Sequence, residues 1–226
     1  IGDQPNEQLM NIAGLRAQTA RISGSGRHWD GSSAKVSVFD AKADALSTLA
    51  CLGMNISNLQ ITADAPHWYH PGQSGVIRLG PKIVLSHFGE LHPSTLKTKD
   101  ISGPVVGFEI FLDSLPQQKK ILRTKTPLQD LDLLPVRRDF AFVVDKNVAA
   151  GDVVKAALAA EEKLITHVTL FDIFESETLI KEGKKSLAIE VVIQPVLQTL
   201  TEKEIEEISQ KIITNVKKAT GGEIRS

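Results

Sequence analysis

Three stretches decide the fold of the C-terminal half of this chain: residues 137–142 (Arg-Arg-Asp-Phe-Ala-Phe), 170–174 (Leu-Phe-Asp-Ile-Phe) and 183–188 (Gly-Lys-Lys-Ser-Leu-Ala). Apolar residues in them recur at every second position, which indicates half-buried strands. Together with their surroundings they predict strands at 140–144, 168–174, 186–193 and 224–225, and helices at 151–163 and 201–218. Thr201 and Glu204 form a capping box at the start of the second helix. The order βαββαβ is the ferredoxin-like arrangement.

The strand alternation gives the predicted sheet two different faces. The apolar face, suited to packing under two helices, holds Phe140, Phe142, Phe171, Ile173, Leu187, Ile189 and Val191. The other face is too polar for a core and holds Ala141, Asp172, Phe174, Ser186 and Glu190. In a ferredoxin-like sheet these residues converge on one patch around Phe174. An aromatic ring beside a carboxylate and a hydroxyl is typical of a surface that stacks on an unpaired base and contacts its edge.

The composition sets limits on the class of protein. The 226 residues, 42% hydrophobic and 23% charged, are those of a globular protein, and no run approaches the 18 apolar residues of a membrane span. From Thr126 onward the chain has 13 Lys and Arg against 17 Asp and Glu, a net charge of −4, and the preceding part has a net charge of +3. Any RNA contact in the second half must therefore be local, because bulk neutralisation of phosphates cannot explain it.

The N-terminal half predicts a mostly antiparallel sheet with few helices. Its helix is expected at 39–52, and its strands at 59–61, 75–79, 83–85 and 105–112. The stretch 115–135 contains three prolines and is expected to be a connector. The fold class is therefore α+β, with one domain at 1–125 and a second at 126–226.

Further motifs in the chain are similar to those of a known family. They are 70–74 (His-Pro-Gly-Gln-Ser), 89–93 (Gly-Glu-Leu-His-Pro), 108–113 (Phe-Glu-Ile-Phe-Leu-Asp) and 27–29 (Arg-His-Trp). In this order, followed by the C-terminal stretches, they resemble the β subunits of bacterial phenylalanyl-tRNA synthetases. The resemblance implies a class II synthetase-like, catalytically silent domain at 1–125 and a ferredoxin-fold anticodon-binding domain at 126–226. With no initiator Met, the chain is expected to be a C-terminal fragment that lacks the family's editing domain and N-terminal tRNA-binding module.

The family implies an enzyme and a set of partners. Its members are cytoplasmic α2β2 heterotetramers that use ATP and Mg²⁺, bound by the α subunit, to attach phenylalanine to its tRNA. The fragment itself is expected to have no catalytic residue, cofactor or metal, since it lacks the Gly-rich motif ending in Arg that a class II ATP site needs. Its expected partners are the anticodon stem-loop of phenylalanine tRNA and the α subunit, with no membrane.

The resemblance also implies roles for residues of the polar face. Phe174 would stack on the first anticodon base, Asp172 would accept hydrogen bonds from its edge, Ser186 would add a polar contact, and Ala141 would leave room for it. The family often has Tyr where this chain has Phe174, so a hydroxyl contact is lost there. Further RNA contacts are expected from Arg138, Lys184 and Lys185.

Other functions stay open at this point. A stand-alone ferredoxin-like module could bind RNA or a small molecule instead. His67 and His70 have the spacing of a zinc pair, although no cysteine or carboxylate cluster accompanies them. A hydrolase would need a nucleophile, and Cys51, in the apolar stretch 49–52, is expected to be buried and inert.

Overall fold

The computed structural model describes residues 4, 7–17, 34–116, 133–196 and 198–225. The chain divides into two compact units, Ile1–Arg123 and Thr124–Ser226. Most of the proline-bearing connector, and the motif at 27–29, lie outside the described residues. Within the described ranges, no helix has the length and apolar character needed to span a membrane.

The first unit is a five-stranded antiparallel sheet with one long helix packed on it. Its strands are β1 (Asn11–Ala17), β2 (Leu59–Thr62), β3 (Tyr69–Leu79), β4 (Ile83–Leu91) and β5 (Val105–Phe111), in the order β1-β5-β4-β3-β2. Its helices are α1 (Val38–Cys51) and the short α2 (Pro93–Thr98). The sequence prediction contained neither β1 nor α2.

Helix α1 begins at Val38 because Asp40 accepts a hydrogen bond from the backbone N–H of Ser37, at 2.7 Å. Its buried residues Ala41, Ala45 and Leu49 follow one another at four-residue spacing and face the sheet. Cys51 lies two residues beyond Leu49, about 200° further around the helix, and is exposed. The expectation of a buried thiol was therefore wrong.

The second unit is a four-stranded antiparallel sheet covered on one face by helices. Its strands are β6 (Val136–Asp145), β7 (Ile165–Phe174), β8 (Lys184–Ile193) and β9 (Glu223–Ile224), in the order β7-β8-β6-β9. Its helices are α3 (Ala150–Leu158), α4 (Glu177–Lys181) and α5 (Glu202–Thr220). Apart from the short α4, this is the expected βαββαβ order, and the α+β fold class is confirmed.

One core joins the sheet to α3 and α5. Buried residues of the strands and of both helices form a single cluster, which includes Phe140, Phe142, Leu187, Ile189, Val153, Ile208 and Ile212. The predicted capping box starts α5: Thr201 Oγ1 accepts from the Glu204 N–H at 3.3 Å, and Glu204 accepts from the Thr201 N–H at 2.7 Å. Gly221 ends the helix in the left-handed conformation, with φ of 70°.

The end of β7 departs from the predicted alternation. Leu170 lies opposite Ile189 and Asp172 lies opposite Ala188, so Phe171 is an extra residue in a β-bulge. Phe171 is 58% exposed and Ile173 is 52% exposed. Both were expected in the core, and that expectation was wrong: Phe171 is bulged out of the ladder, and Ile173, opposite Leu187 on the helix side, is half-exposed near the end of the strand.

Candidate nucleic-acid interface

The sheet face away from α3 and α5 is the open face of the second unit, and two neighbouring rows of side chains on it contain the candidate residues. In the first row Asp172 of β7 lies opposite Ala188 of β8, which lies opposite Ala141 of β6. In the second row Phe174 lies opposite Ser186, which lies opposite Val143. Because side chains at i and i+2 of a strand share a face, Asp172 and Phe174 stand side by side.

Phe174 contributes an accessible aromatic ring to this face. It is 43% exposed and does not belong to the buried cluster under the helices. The guanidinium carbon of Arg225 lies 4.6 Å from the ring centroid, which is a cation–π contact. The ring therefore already accepts one flat, positively charged group, and its surface is suited to stacking.

Asp172 contributes an accessible carboxylate beside the ring. Its side chain is exposed, and within the described part of the chain it makes no hydrogen bond or ion pair. The bulge at Phe171 sets its position, because the extra residue brings Asp172 opposite Ala188. Its oxygens are thus available to accept hydrogen bonds from a ligand.

The open face between these groups carries small side chains, and the part formed by Ala141 and Ala188 is called the alanine floor. Ser186 is more buried than the sequence pattern implied. Ala141 and Ala188 provide only methyl groups along the first row. Ser186 is on the same face as Phe174, as expected, but it is only 2% exposed. It is enclosed because it is flanked by the Phe174 ring on one side and by Val143 on the other.

The three basic residues expected to contact RNA do not lie together. Lys184 alternates with Ser186, so it lies on the open face, where its ammonium group is 3.4 Å from Glu182. Lys185 alternates with the open-face residues, and Arg138 pairs with the buried Val191, so both lie on the helix side of the sheet. Only Lys184 is on the same face as Phe174.

Two residues beside Asp172 and Ala141 on this face, Ala188 and Arg225, did not appear among the sequence candidates. Ala188 was visible in the alternation but was not singled out. Arg225 follows β9, and its N–H donates to the carbonyl of Ala141 at 2.7 Å, which anchors the chain end beside the floor. The only sequence signal for Arg225 was its place in the expected last strand at 224–225, and its reach across the sheet is a tertiary effect.

Comparisons with known proteins found similar proteins for both units. Residues 134–225 match the family of ferredoxin-fold anticodon binding domains, and residues 6–112 match the phenylalanyl tRNA synthetase beta chain CLM domain. The chain is 52% identical over 225 residues to the phenylalanine–tRNA ligase beta subunit of Mesorhizobium japonicum, and 50% identical over 224 residues to that of Bartonella henselae. Along nearly its whole length, the chain is therefore similar to part of the phenylalanine–tRNA ligase beta subunits. The resemblance stated from the sequence is confirmed.

The match covers nearly all of the chain but only part of each relative. It includes 99% of this chain in both cases, and the chain spans 28% of the length of these phenylalanine–tRNA ligase β subunits. A third relative, from Bradyrhizobium diazoefficiens, is 48% identical over the whole chain, and the chain again spans 28% of its length. The open face of β6–β9 thus lies in the segment that matches the anticodon-binding family.

The β-chain-like first unit holds a polar cluster on the face of its sheet away from α1. Glu109 Oε1 accepts hydrogen bonds from Tyr69 Oη–H at 3.0 Å and from Trp68 Nε1–H at 3.2 Å. Burial, and next the Glu109 carboxylate, raise the pKa of the Tyr69 hydroxyl, which therefore stays protonated. His87 lies nearby, 4.9 Å from the Phe111 ring between centroids, and burial lowers its pKa. This arrangement holds strands β3, β4 and β5 together.

The histidines considered as zinc ligands have other surroundings. His70 Nδ1 accepts the N–H of Gly72 at 3.1 Å, so one ring nitrogen is used within the irregular part of β3 between Tyr69 and Ser74. In the described ranges no three His, Cys, Asp or Glu side chains converge in a way that could hold a metal ion.

Proposed function

We propose that this chain provides anticodon binding and subunit assembly to a phenylalanine–tRNA ligase. The main support for the proposal is the arrangement of side chains on the open face of the second unit. There an exposed aromatic ring and an exposed carboxylate stand side by side over an alanine floor. Single-stranded bases are bound in this way, by stacking on aromatic rings and by hydrogen bonds to their edges.

Each residue of the open face has a role in this proposal. Phe174 stacks on the first anticodon base, and Asp172 accepts hydrogen bonds from its edge. Ala141 and Ala188 leave room for the base, because larger side chains would fill the first row. Ser186 offers its hydroxyl once the side chains above it move, and Lys184 is placed to approach a phosphate. Arg138 and Lys185 have no part in this site because they lie on the helix side.

The first unit is proposed to be catalytically silent and to serve assembly. In the intact enzyme, an α2β2 heterotetramer in the cytoplasm, the α subunit would bind ATP, Mg²⁺ and phenylalanine. Exposed apolar side chains near and on the edge strand β1 support an assembly role: Leu9, Met10 and Leu15 are between 61% and 69% exposed. Leu15 lies directly over Gly107, where any side chain would collide with it. This gives the surface a flat, apolar edge of the kind that another chain covers.

The binding role is tested with the chain as it stands. Fluorescence anisotropy would compare a labelled anticodon stem-loop of phenylalanine tRNA with the same stem-loop changed only at the first anticodon base. The proposal predicts tighter binding of the unchanged stem-loop, by at least about fivefold, since a good base contact contributes ~1–3 kcal/mol. Equal affinity for both would contradict it and favour a ferredoxin-like module with another ligand.

The assembly role is tested separately, by co-purification of the chain with the α subunit. Leu15→Glu places a charge in the apolar edge and should weaken the association. Ile61→Glu, on the opposite edge strand β2, is the matched control and should leave it unchanged. An association that survives Leu15→Glu intact would show that β1 is not part of the contact.

A further inference from the structure

The side chain of Arg225 crosses the open face to reach Phe174. Strand β9 precedes Arg225, and β6 and β8 separate β9 from β7. Three strand spacings amount to about 14 Å, yet the guanidinium lies 4.6 Å from the Phe174 ring centroid. Such a crossing needs a low floor, and Ala141 and Ala188 supply it. The backbone of Arg225 is held in place at the same time, by its hydrogen bond to the Ala141 carbonyl.

Arg225 and Asp172 stand at opposite ends of the first row. The order across the sheet is Asp172, Ala188, Ala141 and then Arg225. In the described part of the chain the Arg225 guanidinium makes no ion pair, and the Asp172 carboxylate makes none either. The row therefore presents a hydrogen-bond acceptor at one end and a fork of donors at the other, with only methyl groups between them.

We propose that Arg225 is a base-reading residue of this site: it donates hydrogen bonds to the O6 and N7 atoms of a guanine stacked on Phe174. This inference rests on the proposed function of the open face. Guanine carries donors, N1–H and the N2 amino group, on one edge and acceptors, O6 and N7, on another, and arginine binds O6 and N7 with two parallel hydrogen bonds. A guanine over the alanine floor would meet Asp172 with its donors and Arg225 with its acceptors.

The contact between Arg225 and Phe174 is present in the free site, before a base binds. The guanidinium is flat and lies over the ring, in the layer that a stacked base would occupy. On binding, the base takes that place and the guanidinium withdraws towards β9, to the edge of the base. Only the side chain has to move, and side-chain changes of this kind are common at binding surfaces.

The test uses stem-loops that differ by single atoms or groups at the first anticodon position. The 226-residue chain is titrated with stem-loops carrying guanosine, 7-deazaguanosine, inosine or adenosine there. Loss of N7 should weaken binding to the unchanged chain by at least about threefold, since it removes one of two paired hydrogen bonds. In Arg225→Gln that penalty should disappear, because the residue that reads N7 is gone, and guanosine should bind at least as weakly as 7-deazaguanosine binds to the unchanged chain, because the contact with O6 is lost as well.

Two further variants separate this role from general effects of charge. Lys203→Gln removes a positive charge from the exposed start of α5, on the helix side, and should keep the full penalty for 7-deazaguanosine. Asp172→Asn should lose the preference for guanosine over inosine, which lacks the N2 amino group, but keep the 7-deaza penalty. Thermal melts of all variants would check that they are folded.

Several outcomes overturn the proposal. If Arg225→Gln keeps the full 7-deaza penalty, Arg225 does not read N7. If that variant binds guanosine more tightly than the unchanged chain, Arg225 merely competes with the base for the ring. If the unchanged chain prefers guanosine over adenosine but ignores the loss of N7, this inference fails while the proposed function stands. If it binds all four stem-loops equally, the proposed function fails as well.

Discussion

Removing the Phe174 ring should weaken RNA binding far more than it weakens the fold. A base stacked on an aromatic side chain contributes about 1–3 kcal/mol, and each 1.4 kcal/mol is a factor of ten in affinity. Phe174→Ala should therefore raise the Kd for the matched anticodon stem-loop by about 5- to 150-fold. Phe174→Tyr should bind as well as the unchanged chain or slightly better, because the ring is retained and a hydroxyl is added.

The expected cost to stability follows from the exposure of the ring. A fully buried Phe side chain contributes about 1.5–3 kcal/mol through burial. Phe174 is 43% exposed, so truncation to Ala should cost roughly 1–1.5 kcal/mol of unfolding free energy. For a unit of this size, that lowers Tm by about 4–12 °C. The variant should thus remain folded at room temperature, where binding is measured.

Phe171→Ala is the matched control for this prediction. Phe171 is on the same strand and is 58% exposed, but it lies in the bulge rather than in the row that contains Ser186. Its truncation should produce a similar loss of Tm with little change in Kd. Fluorescence anisotropy and thermal melts of the three variants would be measured side by side. If Phe174→Ala unfolds the second unit but leaves binding per folded molecule unchanged, the ring is a core residue and the assignment of faces is inverted.

Three further outcomes are expected. Thr201→Ala removes the cap of α5 and should cost about 1 kcal/mol, seen as a lower Tm of the second unit, whereas Thr199→Ala should not; an unchanged Tm would mean that Glu204 holds the helix start alone. Burial lowers the pKa of His87 below its ordinary 6.5, so the unfolded first unit binds more protons and its stability should decline as the pH falls below that value. Denaturant titration at several pH values should show a smaller decline in stability for His87→Leu. For the control His67→Gln it should show the same decline as for the unchanged chain. Finally, the chain alone should give no phenylalanine-dependent pyrophosphate exchange above a no-protein control, because residues 1–125 lack the ATP-site motif of class II synthetases.

The sequence predicted the elements whose signals are local. The strands and the two long helices of the second unit, the capping box at Thr201 and the apolar spacing of α1 all follow from short-range patterns. Strand β1 was missed because its residues alternate without a clear apolar face: Ala13 and Leu15 are exposed, and Ile12, Gly14 and Arg16 are only partly buried. It forms by pairing with β5, about a hundred residues further along the chain.

The errors at the candidate site have non-local causes. A β-bulge adds a residue without any mark in the period of two, so Phe171 was expected in the core. Ile173 does lie on the helix side, opposite Leu187, but strand alternation does not show how far the core extends along the strand. The burial of Ser186 depends on side chains of neighbouring strands. The contact between Arg225 and Phe174 spans the whole sheet. By contrast, the exposure of Phe174 and Asp172 followed from strand alternation alone.

The most direct test of the central claim maps where RNA touches the second unit. Amide resonances of the ¹⁵N-labelled chain would be followed by nuclear magnetic resonance while the matched anticodon stem-loop is added. The largest shifts are expected on the open face, at Ala141, Asp172, Phe174, Ala188 and Arg225, with little change along α3 and α5. Shifts concentrated on the helices, or spread evenly over both faces, would contradict anticodon binding on the open face.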